Sequence, residues 1–370
     1  MLRLLHAGDL HLESPLSAFP PRIAAARRER QYAALEALLG AGVARGAQLI
    51  LLAGDCFDTP TPHADAVARF YGILGALPVP VVIAPGNHDH YSLQGVWTST
   101  ARPSNVMVFE TPTLSYFDFP ALGATVCGFA YTKETADGPD IAQPASLPAG
   151  RACILLAHSD ITSPLSPYAP ISAGQLERSG YLYAALGHIH KPMPAKKYGQ
   201  TLAAYSGFFA GRGFDELGRG QARLVDIDGD DVRESVIETE ADTFERRVLD
   251  CTGAQSGTEV RGMLATYLCE LSLPHETALR LVLEGDVGLD CRIDTGALSF
   301  LGEELALFEV IDRTLPLYDA AYLAKAPTLQ GAFYRALLPK LNHEDAEVRE
   351  TAAQALRLGL SALAGREVQL

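Results

Sequence analysis

Residues 2–12 read LRLLHAGDLHL, and residues 49–58 read LILLAGDCFD. In both segments a short apolar run is followed by glycine, aspartate and further polar residues. A continuous apolar run of this length is typical of a strand buried on both faces of a sheet, and glycine lets the backbone turn sharply after it. The two segments therefore predict neighbouring strands with functional side chains at their carboxyl ends.

The alternation of strands and helices continues outward from these segments. Residues 23–45 have helical spacing of apolar side chains, and a second amphipathic stretch follows residue 63. Residues 78–84 predict a third strand, which completes a βαβαβ unit and favours an α/β fold. Further strands are predicted at 124–129, 153–157 and 183–186, with a hairpin formed by 221–227 and 232–238.

The composition changes near residue 240. A helix is predicted at 263–271, a strand at 278–284, and a helix-rich tail from about residue 318 that ends in the amphipathic stretch 344–363. We therefore expect three parts, with the bounds 1–240 for a first domain, 241–315 for a smaller α+β domain and 316–370 for a helical region.

Composition excludes several classes of protein. Of the 370 residues 48% are hydrophobic, which is too many for a disordered chain. No apolar run reaches the ~18–20 residues of a membrane-spanning helix, and no secretory leader opens the sequence. The six cysteines include no CxxC pair, so we expect reduced thiols in a cytoplasmic protein.

The charge balance is acidic. The sequence has 30 Lys and Arg and 44 Asp and Glu residues, which gives a net charge of −14 and a pI near 5.1. A protein that coats DNA without sequence preference usually carries a basic face, so this chain as a whole repels phosphate. The charge argues against strong unassisted binding to nucleic acid.

Five short polar segments each follow an apolar run, at the carboxyl edge where open α/β sheets build their sites. The segments are Gly8-Asp9-Leu10-His11, Gly54-Asp55-Cys56-Phe57-Asp58, Gly86-Asn87-His88-Asp89, Ala157-His158-Ser159-Asp160 and Gly187-His188-Ile189-His190. If the strands run on through them, the two-residue spacing of Asp9 and His11, and of His188 and His190, points each pair to one side. Carboxylates, an amide and imidazoles at one edge suit Mn, Fe, Zn or Mg. Two such ions ~3.5–4 Å apart can promote attack on phosphorus.

Other polar residues near these segments have simpler interpretations. His6 lies inside the first strand and is expected to be a buried, hydrogen-bonded core residue. Asp160 is expected to cap a turn, and Cys56 to pack in the core with a raised pKa. Arg212 and Arg219 lie in or beside a glycine-rich loop, with a phosphate contact as the alternative interpretation.

Together the five segments resemble the motifs of the calcineurin-like metallophosphoesterase superfamily, over about residues 1–195. Within it, the chain is similar to bacterial DNA repair exonucleases of the SbcD/YhaO type. This narrower resemblance rests on His6-Ala7-Gly8-Asp9-Leu10-His11-Leu12 and on Gly211-Arg212-Gly213-Phe214-Asp215-Glu216-Leu217-Gly218. It implies a four-layer α/β/β/α sandwich as the catalytic domain, a smaller α+β capping domain and a helical C-terminal tail.

The resemblance also implies roles for individual residues. Asp9, His11 and His190 would hold the first metal, whereas Asn87, His158 and His188 would hold the second. Asp55 would bridge the two ions. His88 would contact the phosphate and assist the leaving oxygen, with Asp89 orienting it. Asp58 is a departure, because some of these nucleases carry a histidine there.

The implied function is a metal-dependent phosphodiester hydrolase, in which a hydroxide bridging two divalent ions, expected to be Mn²⁺, attacks DNA ends. Its relatives work with a coiled-coil SMC-like ATPase, so we expect such a partner. The helical tail is suited to that partner or to a homodimer contact, with packing on its own domain as the alternative. A phosphodiesterase or phosphatase for a small ester, and a non-catalytic subunit that retains a metal site, are the alternative functions.

Overall fold

The computed structural model describes residues 1–365 of the chain. They form two compact units, Met1–Phe244 and a second one from Glu245 onward. The division falls close to the boundary predicted at residue 240. The further division at about residue 315 stays a prediction.

The first unit carries the segments with the predicted site residues. Its helices are α1 (Pro21–Ala44), α2 (Ala64–Gly75) and α3 (Ala173–Ser179). Its strands are β1 (Leu2–Ala7), β2 (Leu49–Leu52), β3 (Val81–Ile83), β4 (Val106–Val108), β5 (Ser115–Phe119), β6 (Ala124–Gly128), β7 (Ala152–His158), β8 (Tyr183–Gly187), β9 (Lys196–Tyr198), β10 (Thr201–Tyr205), β11 (Gln221–Asp228) and β12 (Asp231–Glu238).

These strands form two sheets. The first has the order β12-β11-β1-β2-β3-β4, in which β1 to β4 are parallel and β11 and β12 form an antiparallel hairpin at Gly229. The second has the order β5-β6-β7-β8-β10-β9, with β6, β7, β8 and β10 parallel. Most of the carboxyl ends that carry polar motifs therefore belong to parallel strands, as the apolar runs predict.

The two sheets pack face to face through alternate side chains of their strands. Leu4 and Leu51 of the first sheet share one core with Val126, Ile154 and Tyr183 of the second. The outer face of the first sheet packs against α1 and α2, and the outer face of the second packs against α3. The layers are thus α/β/β/α, and the predicted sandwich is confirmed.

The second unit is mixed as well. Its elements are β13 (Phe244–Asp250), α4 (Gly257–Leu271), β14 (Ala278–Glu284), β15 (Asp286–Gly288), α5 (Thr295–Ser299), β16 (Leu307–Asp312), β17 (Leu315–Leu317), α6 (Ala320–Lys325), α7 (Leu329–Leu341) and α8 (Ala346–Leu363). A sheet of order β13-β14-β16 shares a core with α4. Apolar side chains of α6, α7 and α8 form a separate cluster. Within residues 1–365, no helix is both long enough and apolar enough to cross a bilayer.

Candidate metal centre

All the predicted ligands except His158, which is the last residue of β7, lie in turns that follow strands. β1 ends at Ala7 and β8 ends at Gly187, so Asp9, His11, His188 and His190 all come after the strand. Asp9 and His11 have φ angles of 49° and 44°, and Asp55 and His188 have φ angles of 48° and 100°. This is left-handed backbone that non-glycine residues seldom adopt. Asp9 and His11 do converge, but the two-residue strand period is not the reason, because neither residue lies on a strand.

Backbone hydrogen bonds hold these strained turns against each other. The amide of Asp9 donates to the carbonyl of Gly54 at 3.0 Å, and the amide of His11 donates to the carbonyl of Asp55 at 2.9 Å. The amide of His188 donates to both carboxylate oxygens of Asp9, at 3.0 and 3.1 Å. The turns after β1, β2 and β8 therefore fix one another, which is how such backbone strain persists.

A first donor cluster consists of Asp9, His11 and His190. The Nε2 atoms of the two histidines lie 3.1 Å apart, and Nε2 of His190 lies 3.5 Å from Oδ1 of Asp9. Asp9 and His11 are almost completely buried. The cluster thus presents two ring nitrogens and a carboxylate to one small space.

The outer nitrogens of these two rings are held by carboxylates. Nδ1 of His11 lies 2.8 Å from Oδ1 of Asp58, and Nδ1 of His190 lies 2.6 Å from Oε1 of Glu216. An ionised carboxylate can only accept hydrogen bonds, so each Nδ1 carries the proton and donates it to the carboxylate. In the neutral ring each Nε2 then keeps a lone pair. Two lone pairs 3.1 Å apart repel unless a cation or a shared proton lies between them.

The electrostatics of this cluster favour positive charge. Burial lowers the pKa of His190, but its hydrogen bonds to Asp9 and Glu216 outweigh burial and raise that pKa to about 10. Burial raises the pKa of Glu216, but His190 and Arg212 lower it to about 2. The donor set therefore attracts a cation, and it fits a divalent metal ion that replaces the proton.

A second cluster consists of Asp9, Asp55 and His158. Nε2 of His158 lies 3.3 Å from Oδ2 of Asp55 and 3.0 Å from Oδ1 of Asn87. Nδ1 of His158 lies 2.9 Å from the carbonyl oxygen of Ala53 and so donates to it, which directs Nε2 at the other donors. Burial lowers the pKa of His158, but the charge of Asp55 raises it to about 9.

Asp55 lies between the two clusters. Its Oδ2 is 3.3 Å from Nε2 of His158 and 3.7 Å from Nε2 of His11. Burial raises its pKa, but the neighbouring histidines hold it far below its usual range. An ionised carboxylate in this position suits a bridge between two ions.

His188 lies beside the second cluster. Its ring centroid is 5.2 Å from that of His158, and the ring of Tyr168 packs on it at 4.7 Å. Burial and the nearby His158 lower the pKa of His188 to about 4, so the ring is neutral at pH 7. A neutral imidazole is the form that binds metal.

His88 lies on the exposed side of the site, with 43% of its side chain exposed. Its Nδ1 is 3.5 Å from Oδ1 of Asp58 and 3.4 Å from the carbonyl oxygen of Asp58. His88 therefore pairs with Asp58, a residue whose role the sequence left open.

Asp89 bonds to the backbone of two loops. Its buried carboxylate accepts hydrogen bonds from the amides of Cys56, Gly86 and Phe57, at 2.7, 2.7 and 3.3 Å. None of the contacts described for residues 1–365 joins this carboxylate to the ring of His88. Asp89 thus ties the loop of Asn87 and His88 to the turn after β2, and its role in orienting His88 stays a prediction.

Three other residues behave as predicted. His6 is completely buried and lies 2.8 Å from the hydroxyl of Tyr183. Asp160 accepts hydrogen bonds from the amide and hydroxyl of Thr162, so it caps a turn. Burial and Asp89 raise the pKa of Cys56 well above its usual value.

The sequence analysis did not predict the contacts of Glu216 with His190 and of Tyr168 with His188, and it left the role of Arg212 undecided. Glu216 and Arg212 lie in the glycine-rich loop, more than twenty residues beyond His190. No spacing signal connects them to the ligands, because the connection is made by the folding of this loop over the edge of the sheets.

Comparison with known proteins agrees with this geometry. Residues 2–192 match the family described as calcineurin-like phosphoesterases, so the chain belongs to that family. It is thus a metallophosphoesterase, a class whose members bind divalent metals.

The individual relatives share 25–29% sequence identity with this chain. The chain is 29% identical to the uncharacterised metallophosphoesterase YhaO of Bacillus subtilis, over 77% of this chain and 72% of that protein. It is 25% identical to SbcD, one of the subunits of the nuclease SbcCD of Bacillus subtilis, over 59% of this chain and 64% of that protein. It is 25% identical to the DNA double-strand break repair protein Mre11 of Aeropyrum pernix, over 62% of this chain and 59% of that protein. The alignments span less than two thirds of the two DNA-related proteins.

Proposed function

We propose that this protein is a metal-dependent phosphodiester hydrolase that acts as a DNA repair exonuclease on DNA ends. The observation that carries the proposal is the convergence of histidine nitrogens and carboxylate oxygens on one place, from the last residue of β7 and from the turns that follow four other strands. The names of two relatives, a nuclease subunit and a double-strand break repair protein, support DNA as the substrate.

The site is proposed to hold two divalent ions, with Mn²⁺ as the expected metal. When bound, two such ions supply a hydroxide nucleophile at neutral pH and positive charge against the phosphate. In this proposal Asp9, His11 and His190 hold one ion. Asn87, His158 and His188 hold the other, and Asp55 contacts both.

The remaining groups act on the substrate. We assign to His88 the contact with the scissile phosphate, because 43% of its side chain is exposed, against 26% for His190 and 1% for His11. Asp58 holds Nδ1 of His88, so that in the doubly protonated ring Nε2 is free to donate its proton to the leaving oxygen. Asp89 contributes by fixing the loop.

The acidic charge of −14 limits binding to DNA. Bound divalent ions attract one phosphate, but the flanking phosphates need other positive groups. We propose that a coiled-coil SMC-like ATPase supplies them, and that the second unit, with its helices α6 to α8, contacts this partner. A homodimer contact of the same unit is the alternative.

One observation favours a small phosphate ester as the substrate instead. The cleft beside His88 has a volume of only about 310 Å³ and contains no Lys or Arg among its described lining residues, Asp58, Thr59, Pro60, Asn87, His88, Glu134, Thr135 and Tyr168. Such a cleft gives no positive charge to the phosphates that flank the scissile one in DNA.

The test uses the purified full chain with Mn²⁺ and linear duplex DNA labelled at the 3′ or the 5′ end. We expect shortening from an end, loss of that activity in Asn87→Ala and His88→Ala, and full activity in the exposed His63→Gln. Comparison of the two labels gives the polarity.

Two outcomes contradict the proposal. Cleavage of bis-p-nitrophenyl phosphate without any attack on DNA, even with an ATPase partner added, establishes the small-ester function. Less than one metal ion per chain together with no esterase activity establishes a non-catalytic subunit.

A further inference from the structure

Arg212 makes polar contacts through all of its guanidinium nitrogens. Nη1 donates to Oδ1 of Asp58 at 3.0 Å, and Nη2 donates to Oε1 of Glu216 at 2.9 Å. Nε donates to Oε2 of Glu216 at 3.4 Å, and the backbone amide of Arg212 donates to the same oxygen at 2.9 Å. One planar cation thus joins two carboxylates that are far apart in sequence.

These two carboxylates are the ones that hold Nδ1 of His11 and of His190. Nη2 of Arg212 lies 3.2 Å from Nδ1 of His190, because both groups donate to the same oxygen of Glu216. Arg212 therefore contacts the supports of both histidines without contributing a ligand. Only 4% of the Glu216 side chain and 17% of the Asp58 side chain are exposed, so water screens their charges weakly.

We propose that Arg212 is a positioning residue, which fixes the rings of His11 and His190 in the geometry that the first metal ion needs. The inference rests on the ligand set of the proposed function. It replaces the phosphate contact considered for Arg212, because its nitrogens are already used within the site.

If Arg212 acted only through its charge, its removal would change the affinity for metal in the direction opposite to that expected for a positioning residue. A positive charge close to a metal site repels the incoming cation, so its removal would tighten metal binding. Loss of a positioning group weakens binding instead, typically by 10–100-fold for groups that support a ligand. The direction of the change therefore separates the two roles.

The test titrates the metal-free full chain with Mn²⁺ in a calorimeter. For Arg212→Gln we expect one of the two ions to bind about 10–100-fold more weakly and the other to bind as in the unchanged protein. Arg212→Lys should behave like Arg212→Gln, because one ammonium group cannot join both carboxylates. Arg219→Gln is the matched control, since Arg219 is exposed and pairs only loosely with Glu238 at 3.8 Å.

A double substitution tests the route through Glu216. Because Arg212 acts through Glu216 and through Asp58, Arg212→Gln should weaken binding of the affected ion less in a chain that carries Glu216→Gln than in the unchanged protein. Thermal unfolding of each variant in EDTA shows whether the variant is folded, which separates positioning from a general loss of structure.

The outcomes are distinct. Two ions in the unchanged protein with unaltered or tighter binding in Arg212→Gln overturn the role of Arg212 but leave the proposed function intact. Fewer than two ions in the unchanged protein overturn the ligand set itself, and the positioning role with it.

Discussion

At the scale of single residues, backbone strain is concentrated at the site. Among residues 1–365 the non-glycine positions with positive φ include Asp9, His11, Asp55 and His188, all of them proposed metal ligands. Each such conformation costs of the order of 1–3 kcal/mol. The surrounding hydrogen bonds must offset that cost, so residues that never touch metal are essential to the geometry.

Asp89 is such a residue, and its substitution gives the first prediction. In Asp89→Ala the amides of Gly86, Cys56 and Phe57 lose a buried acceptor. Unsatisfied buried donors cost about 1–3 kcal/mol each, so we expect the free energy of unfolding in urea to fall by at least about 3 kcal/mol. Asp137→Ala, at an exposed position, should change it by less than about 0.5 kcal/mol. Unchanged stability with a lower kcat would instead favour the orienting role first predicted for Asp89.

His6 gives a prediction on pH. Burial, with a smaller contribution from the positive charge of Arg223, lowers its pKa from 6.5 to about 3. The unfolded chain therefore binds a proton below pH 6.5 that the folded chain excludes, so stability is lost as the pH falls from 6.5 towards 3. This one group should cost about 2 kcal/mol by pH 5.

The measurement compares urea unfolding of the unchanged protein and of His6→Gln at pH 7 and pH 5. The variant should lose about 2 kcal/mol less over this interval. NMR titration of the His6 ring in the unchanged protein is the direct check. A ring that protonates near pH 6.5 would show the assignment to be wrong.

At the scale of secondary structure elements, the close approach of two turns determines where the ligands meet. Gly187 ends β8 at a point where a Cβ atom would overlap the carbonyl oxygen of Ala53, which follows β2. That carbonyl also accepts the proton of Nδ1 of His158. The first and second sheets can therefore come together here only if residue 187 has no side chain.

We expect Gly187→Ala to lower the free energy of unfolding by about 1–3 kcal/mol, as overpacking does, and to weaken Mn²⁺ binding. Gly40→Ala is the control, because Gly40 lies inside α1 and a Cβ there meets no atom within 4 Å. It should raise stability by about 0.5–1 kcal/mol, since alanine is the better helix former. Both changes are measured by urea unfolding, and equal effects would contradict the close approach.

The elements also show what an amino-acid pattern can predict. The apolar runs of β1, β2, β6, β7 and β8, and the helix α1, were predicted nearly to their observed ends. The third strand was predicted at 78–84 and is shorter, Val81–Ile83. The short strands β4 and β9 were not predicted, because three residues carry too little periodicity to indicate a strand. Their pairing in the sheet, which is a tertiary contact, makes them strands.

At the scale of the whole molecule, the net charge of −14 acts against the proposed substrate. DNA bound mainly through a metal centre and a few cationic groups is displaced easily by salt. We expect the rate of degradation of linear DNA by the isolated chain to fall at least about tenfold between about 50 and 200 mM KCl.

The same titration with bis-p-nitrophenyl phosphate is the control, because this ester carries a single charge and contacts only the metal centre. Its hydrolysis should change less than about twofold over the same range. An equal salt effect on both substrates would place the sensitivity in metal binding rather than in contact with DNA. Addition of the ATPase partner should reduce the salt effect on DNA.

The sequence by itself determined the alternation of buried strands and helices, and it placed a carboxylate, amide or imidazole after each of five strands. Short apolar runs and polar turns are local features, so they can be predicted from the amino-acid sequence. Tertiary structure alone decided that Asp58 and Glu216 hold the rings of His11 and His190, that Arg212 joins these two carboxylates, and that Asp89 ties two loops together. These contacts join residues up to 154 positions apart. They form and are stabilised only in the buried site of the folded chain, so the spacing of residues in the sequence does not predict them.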